Sequence, residues 1–517
     1  MRQNFIAWDR DQAYLMPPSL LDWVSEDHLV WSILGSVDEM DLIEFYADYR
    51  ADGHGRPAYD PKMMVALLLY CYSKGNRSSR GIERACREDV ACRVICANLV
   101  PDHSTIAEFR CRHERALGEL FSSVLKLCKR AGLVKVGVIA VDGTKVSANA
   151  SMDANSSYER VVREILKEAE ETDRREDELF GDARGDEVPE ALRTREGRQR
   201  AFRKAKRELV AEREATTDDE EESEAEEPVV TLDLDRERLV NSEQGRRGWQ
   251  REARRQLDEK RREQARPIAG GRLERLRESK RRLEENHRAE LEANAAYEIY
   301  RATGRDRLGR RLGRPPDSHT LPEAPAGTIN TTDHDSRIMR TQGQPAIQGY
   351  NAQAAVNEEQ IIVAAEISVE SVDFGHLEPM VEATVRQLQK AGVAALPTTV
   401  VADPGYWHKQ QMENIVANKH INVLVRPDSG LRKDTRPGWD KGLYAHLRRV
   451  LGTKLGQTLY RRRMATVEPV FGQNKFNRGF KRLQRRGRAA AESEWRFQAA
   501  THNLLKLHSH RLASAGP

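Results

Sequence analysis

Apolar and polar positions change their period several times along the chain, and each change predicts a different element. YDPKMMVALLLYCYSKG is apolar on nearly every side, the mark of a buried helix. Asp60 is placed to cap it, Pro61 suits its first position and Gly75 its end. SSRGIERACREDVACRVICANL predicts two short helices starting near Ser78 and Asp89. HSTIAEFRCRHERALGELFSSVLKLCKRAG predicts one long helix, with Thr105 and Glu108 as a capping box and Gly132 as its stop. VIAVDGTKVSANAS, from Val138 to Ser151, is a strand-type run that delivers one carboxylate, Asp142, into small polar residues. YERVVREILKEAEE then aligns Val161, Val162, Ile165, Leu166 and Ala169 on one helical stripe, and a later helix aligns Leu273, Leu276, Leu283 and Leu291. Beyond about Thr331 the period returns to strands. Asn351–Val356 and Ile361–Ile367 predict a hairpin turning at Asn357, Glu358 and Glu359. A helix ending at Gly392, a strand ending at Asp403, a strand in INVLVRPDSG and a helical or mixed region carrying Glu468 complete the series.

This order divides the chain into residues 1–132, a helical domain for DNA binding or assembly; 133–154, the first strand of a catalytic domain; 155–330, a charged helical insert with a Gly-, Pro- and Arg-rich linker; and 331–510, the rest of the catalytic domain. With the insert removed, the elements follow the ribonuclease-H-like order. The expected fold is therefore an α/β catalytic domain of that type, interrupted by a long charged helical insert and preceded by an all-α N-terminal domain. The insert reads as an antiparallel helical hairpin.

Composition narrows the function. At 517 residues the chain has room for two to four domains. No run approaches the roughly 18 apolar residues of a membrane span, and the first residues lack the apolar core of a secretory signal, so a cytoplasmic protein is expected. Cys71, Cys86, Cys92, Cys96, Cys111 and Cys128 show no CxxC pair and predict buried reduced thiols rather than a metal site with His103 and His113. The formal net charge of +4 conceals an uneven distribution: residues 431–488 carry seventeen Lys and Arg against Asp434, Asp440 and Glu468. Such a segment seeks a polyanion, and interleaved Tyr460, Phe471, Phe476 and Phe480 suit a nucleic-acid surface. Arg80, Arg84, Arg110 and Arg112 on the short N-terminal helices are compatible with a helix-turn-helix reader of DNA, although any small helical bundle looks alike. Eight acids between Asp218 and Glu227 form a like-charge block that predicts solvation, not catalysis.

Asp142 and Asp403 end strands, where ligands gather in open α/β sheets. Glu468 is the only acid from Lys441 to Arg488, and a negative charge kept among cations suggests a metal or a tight pair. Three such carboxylates make an oxygen-rich pocket suited to Mg²⁺ and to displacement at phosphorus. Each has a plainer reading: Asp142 as a turn residue supporting Gly143, Glu468 as a helix-start acid ahead of Pro469. Asp333 and Asp335 precede the hairpin and read as supporting residues; His376 and His408 have no partner spacing.

VDGTKVSANAS, DHDSRIMRTQGQPAIQGYNAQAAV, VVADPGYW and YRRRMATVEPVFGQNKF together resemble the catalytic blocks of bacterial insertion-sequence DDE transposases, specifically insertion-sequence family 1182, and the N-terminal blocks resemble that family's N-terminal domain. The resemblance spans the chain apart from the charged insert. It implies that Asp142, Asp403 and Glu468 are catalytic and bind two Mg²⁺ ions, for which Mn²⁺ substitutes. It matches Tyr460, Arg463 and Lys475 to residues that touch transposon-end phosphates. Four residues rather than the common three separate Arg463 from Glu468, so Arg462 is an equal candidate for the arginine. Arg478, Lys481 and Arg482 belong to the same expected DNA surface, and Tyr406 and Trp407 are candidates to stack on an unpaired base, with core packing as the alternative. The implied activity is cleavage at terminal inverted repeats and transfer of 3′-hydroxyl ends to target DNA, by a homodimer on DNA in the bacterial nucleoid. A catalytically silent regulator and a nuclease without strand transfer are the rival readings.

Overall fold

The computed structural model describes residues 19–47, 49, 58–180, 234–241, 245–263, 271–305, 309, 319–340, 343, 345–427 and 441–515. The chain divides into two compact units, Met1–Asn155 with Thr332–Pro517, and Ser156–Thr331.

The first unit begins with helices α1 (Leu29–Asp38), α2 (Ile43–Tyr46), α3 (Pro61–Ser73), α4 (Ser79–Glu88), α5 (Val90–Ile95), α6 (His103–Arg112) and α7 (Glu114–Arg130). Their starts follow the side chains that satisfy free backbone N–H groups. Asp60 accepts from Lys62 N, Ser78 from Gly81 N, and Asp89 from the amides of Ala91 and Cys92. From Met64 to Ser73 every residue of α3 is buried, as its all-round apolar pattern requires. One expectation fails here. The stretch from His103 to Arg130 is two helices, not one, separated at His113, whose buried ring packs 4.6 Å from Phe109 and 5.3 Å from Phe45. Asp102 caps α6 by accepting from Thr105 N, while Glu108 pairs with Arg112, so the capping box does not form. Five cysteines are buried and only Cys111 is exposed, all of them free thiols.

Strand β1 (Val138–Ser147) follows. The second unit then contributes β2 (Asn155–Ser157), α8 (Tyr158–Phe180), α9 (Arg236–Asn241), α10 (Arg246–Glu263), α11 (Arg272–Ala302) and β3 (Thr328–Asn330). Its core is thin: Leu239, Trp249, Ala253, Leu257, Ala289, Ala293 and Tyr297, with the Trp249 and Tyr297 rings edge-to-face at 5.5 Å. The apolar stripes are only partly used, since Val161, Leu276 and Leu283 are buried but Leu166 and Leu291 face solvent. Ion pairs line the helices, among them Arg261–Glu285 at 2.6 Å, Arg281–Glu278 at 2.7 Å and Arg238–Glu259 at 2.8 Å. The acidic block from Asp218 to Glu227 lies outside the described residues.

The first unit resumes with β4 (Arg337–Met339), β5 (Ile347–Asn357), β6 (Ile362–Ser368), α12 (Leu377–Lys390), β7 (Thr399–Ala402), α13 (Lys409–Lys419), β8 (Asn422–Val425), α14 (Gly442–Gly452), α15 (Lys454–Gly472) and α16 (Arg488–Ala515). The six strands of its sheet run β4-β5-β1-β7-β8, with β6 also paired to β5. β5 is antiparallel to β1, β4 and β6, whereas β1, β7 and β8 are mutually parallel. That mixture of hairpin and crossover is the ribonuclease-H-like arrangement. The helices of residues 29–130 share one hydrophobic core with this sheet, and α16 packs on both α7 and β6.

Candidate active site

Two adjacent strands bring the first acids together, but only Asp403 follows a strand end as expected: β1 stays paired with β5 on to Ser147, so Asp142 lies in mid-strand. Val141 of β1 pairs with Ala402 of β7 in parallel register, so Asp142 and Asp403 follow side by side. Asp142 accepts from its neighbour Gly143 N at 2.8 Å through Oδ1. Asp403 caps the turn Pro404–Tyr406 by accepting from Gly405 N at 2.8 Å. The turn reading of Asp142 therefore fails, since Gly143 continues the strand, whereas Asp403 does cap a turn and still has an oxygen to offer.

Glu468 arrives from α15, which packs across β1, β5 and β7. It stands within the helix, not at its start, because α15 continues through Pro469 to Gly472 and on into a π-helical turn, Gln473–Asn477. Arg463 joins the acids. Its Nη1 donates to Asp142 Oδ2 at 2.9 Å, and its Nη2 lies 3.8 Å from Glu468 Oε1. Arg462 points elsewhere, to Glu358. Lys475 donates to the Lys145 carbonyl at 2.8 Å, and half-buried Tyr460 packs with the Arg426 guanidinium 5.9 Å from its ring.

The electrostatics are those of crowded, partly desolvated acids. Burial pushes the Asp142 carboxyl up to about 6; Asp403 and Asp373 push the same way and Arg463 opposes them. Asp403 is raised as well, chiefly by burial. Hard carboxylate oxygens on neighbouring strands fit a hard divalent cation in donor type. Among the described residues, however, no three His, Cys, Asp or Glu side chains lie close enough to hold one ion. Glu468 is half exposed and held off by Arg463, whose guanidinium already serves as counter-cation between Asp142 and Glu468.

Two expected DNA contacts are displaced by burial. Tyr406 is fully buried and donates its hydroxyl to Gln353 Oε1, which leaves no face for a base. Arg478 is also buried, donating to His502 Nδ1 at 2.8 Å and to Thr501 at 3.5 Å beneath α16. Trp407 is half-buried and edge-to-face with Tyr444 at 5.7 Å. Lys481 and Arg482 are exposed, with Lys481 5.4 Å from the ring centre of Phe476, itself 76% exposed. Asp333 accepts from Tyr350 OH at 2.7 Å and Asp335 from Arg488 N at 2.9 Å, both away from the acid pair.

The sequence reading missed a polar group behind the strands. Asp373, between β6 and α12, accepts from Asn351 Nδ2 at 2.7 Å and Gln353 Nε2 at 2.8 Å, with Lys145 Nζ at 3.5 Å. Its signal was present in β5, where Gln348, Asn351, Gln353 and Asn357 interrupt an otherwise apolar strand and are all buried. Buried amides on a central strand require partners, and partners imply a polar group opposite.

Comparison with known families agrees with this geometry. Residues 18–112 match the transposase domain DUF772, and residues 326–504 match the transposase DDE domain. A ribonuclease-H-like sheet together with a transposase DDE domain defines a DNA-cleaving, transposing enzyme. The two matches together take in more than half of the chain, which belongs to the insertion-sequence transposases. No curated protein and no solved structure matches it significantly. Among the described residues no helix is long and apolar enough to cross a membrane.

Proposed function

We propose that the chain is a transposase of insertion-sequence family 1182 that binds the inverted-repeat ends of its element, cuts them, and joins the 3′-hydroxyl ends to target DNA. The observation that carries this reading is the acid pair Asp142 and Asp403 on adjacent parallel strands, linked to Glu468 of α15 through Arg463. These three carboxylates would hold the divalent cations. When bound, two Mg²⁺ ions, with Mn²⁺ as a substitute, supply charge stabilisation for in-line displacement at phosphorus. Arg463, paired with Asp142 here, would exchange that carboxylate for a DNA phosphate, since a guanidinium binds either oxyanion. Water attacks the phosphorus, the bond to the 3′ oxygen breaks, and that oxygen leaves as a hydroxyl. In the joining step the same hydroxyl attacks a target phosphodiester, forming one P–O bond as another breaks.

Tyr460, Arg462, Arg463, Lys475, Lys481 and Arg482 face the DNA backbone in this reading, with the helices of residues 1–132 contributing end recognition or assembly. Joining two ends calls for a homodimer on DNA, and the substrate sets the work in the bacterial cytoplasm at the nucleoid. The test is Mg²⁺-dependent cleavage of terminal-repeat DNA by the wild-type chain and by Asp142→Ala, Asp403→Ala and Glu468→Ala. Loss of cutting in all three is expected; full cutting by any one would remove that residue from the site. A labelled donor end joined to plasmid separates a transposase from a nuclease, and sedimentation of the DNA complex as a monomer would oppose the dimer.

A further inference from the structure

In-register partners on neighbouring strands share a sheet face. Gly143 and Lys145 therefore lie on one face with Gln353 and Asn351 opposite them, one residue out of phase with Asp142. Asp373 reaches that face. It can do so because position 143 has no side chain: a Cβ on Gly143 would sit 2.7 Å from Asp373 Oδ1 and 2.8 Å from Asn351 Oδ1. On the other side, a Cβ on Gly405 would lie 2.9 Å from Asp403 Oδ1 and 3.6 Å from Asp373 Oδ2, so the two carboxylates flank one glycine. Gln353 is held at both ends, donating to Asp373 and accepting from buried Tyr406, three residues beyond Asp403. A continuous polar chain thus runs from Lys145 through Asp373 and Gln353 to the turn that carries Asp403. Asn351 Oδ1 is buried with no hydrogen-bond partner among the described residues, which adds a negative partial charge at the same place.

We propose that Asp373 is a positioning residue for the acid pair: it ties the Asp403 turn to the back of β1 and neutralises Lys145, so that Asp142 and Asp403 keep their attraction for a divalent cation. The inference rests on the reading of those two acids as metal-holding. Lys145 and Arg463 both act on the pair by charge, and a Lys145 ammonium stripped of its carboxylate opposes an incoming cation directly. Steric anchoring alone would not depend on charge balance.

The experiment is titration of full-length protein with Mn²⁺, followed by electron paramagnetic resonance of the free ion. Asp373→Asn keeps the shape, removes the charge, and is expected to weaken binding about tenfold. Lys145→Met is expected to tighten it several-fold, and the double variant to return to within about twofold of wild type. Wild-type affinity in Asp373→Asn, or no recovery in the double variant, would overturn the proposal. Should Asp373→Asn fail to fold, Lys145→Met alone decides, since unchanged or weaker binding would contradict the assigned charge balance. Asp142→Ala separates the two levels: if it binds Mn²⁺ as the wild type does, the metal-holding reading falls and this inference with it.

Discussion

The two units place the same charged residue types in opposite circumstances. In the insert, arginines and glutamates pair along and between α8, α10 and α11, and the apolar core is a single narrow seam around Trp249. Charge there is spread out and locally cancelled. In the first unit, a broad apolar core supports carboxylates within β1 and just after β7, where burial raises the pKa of Asp142 and Asp403 and the two stand close together. Paired surface charge costs little and contributes little; carboxylates forced together near a core are poised to take up a cation. The difference therefore lies in position, not residue type.

The largest effect expected is at the acid pair. Asp142→Ala or Asp403→Ala should lower cutting by on the order of 10³-fold or more while the melting transition persists, as checked by cleavage kinetics beside calorimetry. Trp249→Ala attacks the seam instead. It should cost the second unit roughly 3 kcal/mol of local stability, read as faster hydrogen exchange in α10 and α11, with Mn²⁺ affinity within about twofold of wild type.

A pH titration sharpens the contrast. Asp142 titrates near 6 in the fold against an ordinary value of 3.8, so the fold favours its protonated form. Its contribution to stability is complete below pH 3.8 and is lost as pH rises through 6. The metal-free protein should lose stability across that window, less so in Asp142→Asn, while cation affinity grows over the same range as the carboxylate ionises. At the small end, Lys280→Gln in the insert removes a half-exposed pair with Glu284 and should shift stability by less than about 1 kcal/mol in thermal unfolding.

Much of this contrast was legible in the chain. Helix starts at Asp60, Ser78 and Asp89 depend on residues two or three positions away, and a local cause leaves a local signal. Asp142 and Asp403 could be picked out because each closes an apolar run, and Glu468 because no other acid shares its stretch. Asp373 could not. It sits in a polar segment, and its importance arises from the register that sets Gly143 against Gln353, a relation between residues 210 positions apart. Core packing of Tyr406 was legible as an alternative to base stacking, but burial of Arg478 was hidden: an arginine in a basic run looks like surface until His502 is found opposite it. The break at His113 follows from ring packing with Phe45, contributed by a different helix.

The central claim is that Asp142, Asp403 and Glu468 touch the catalytic cations. Replacing each in turn by Cys and assaying terminal-repeat cleavage in Mg²⁺ and in Mn²⁺ tests this most directly, because a thiolate is a poor ligand for Mg²⁺ and a better one for the softer ion. Inactivity in Mg²⁺ and recovered cutting in Mn²⁺ are expected at all three positions. Full cutting in Mg²⁺, or equal inactivity in both metals for every variant, would contradict the claim.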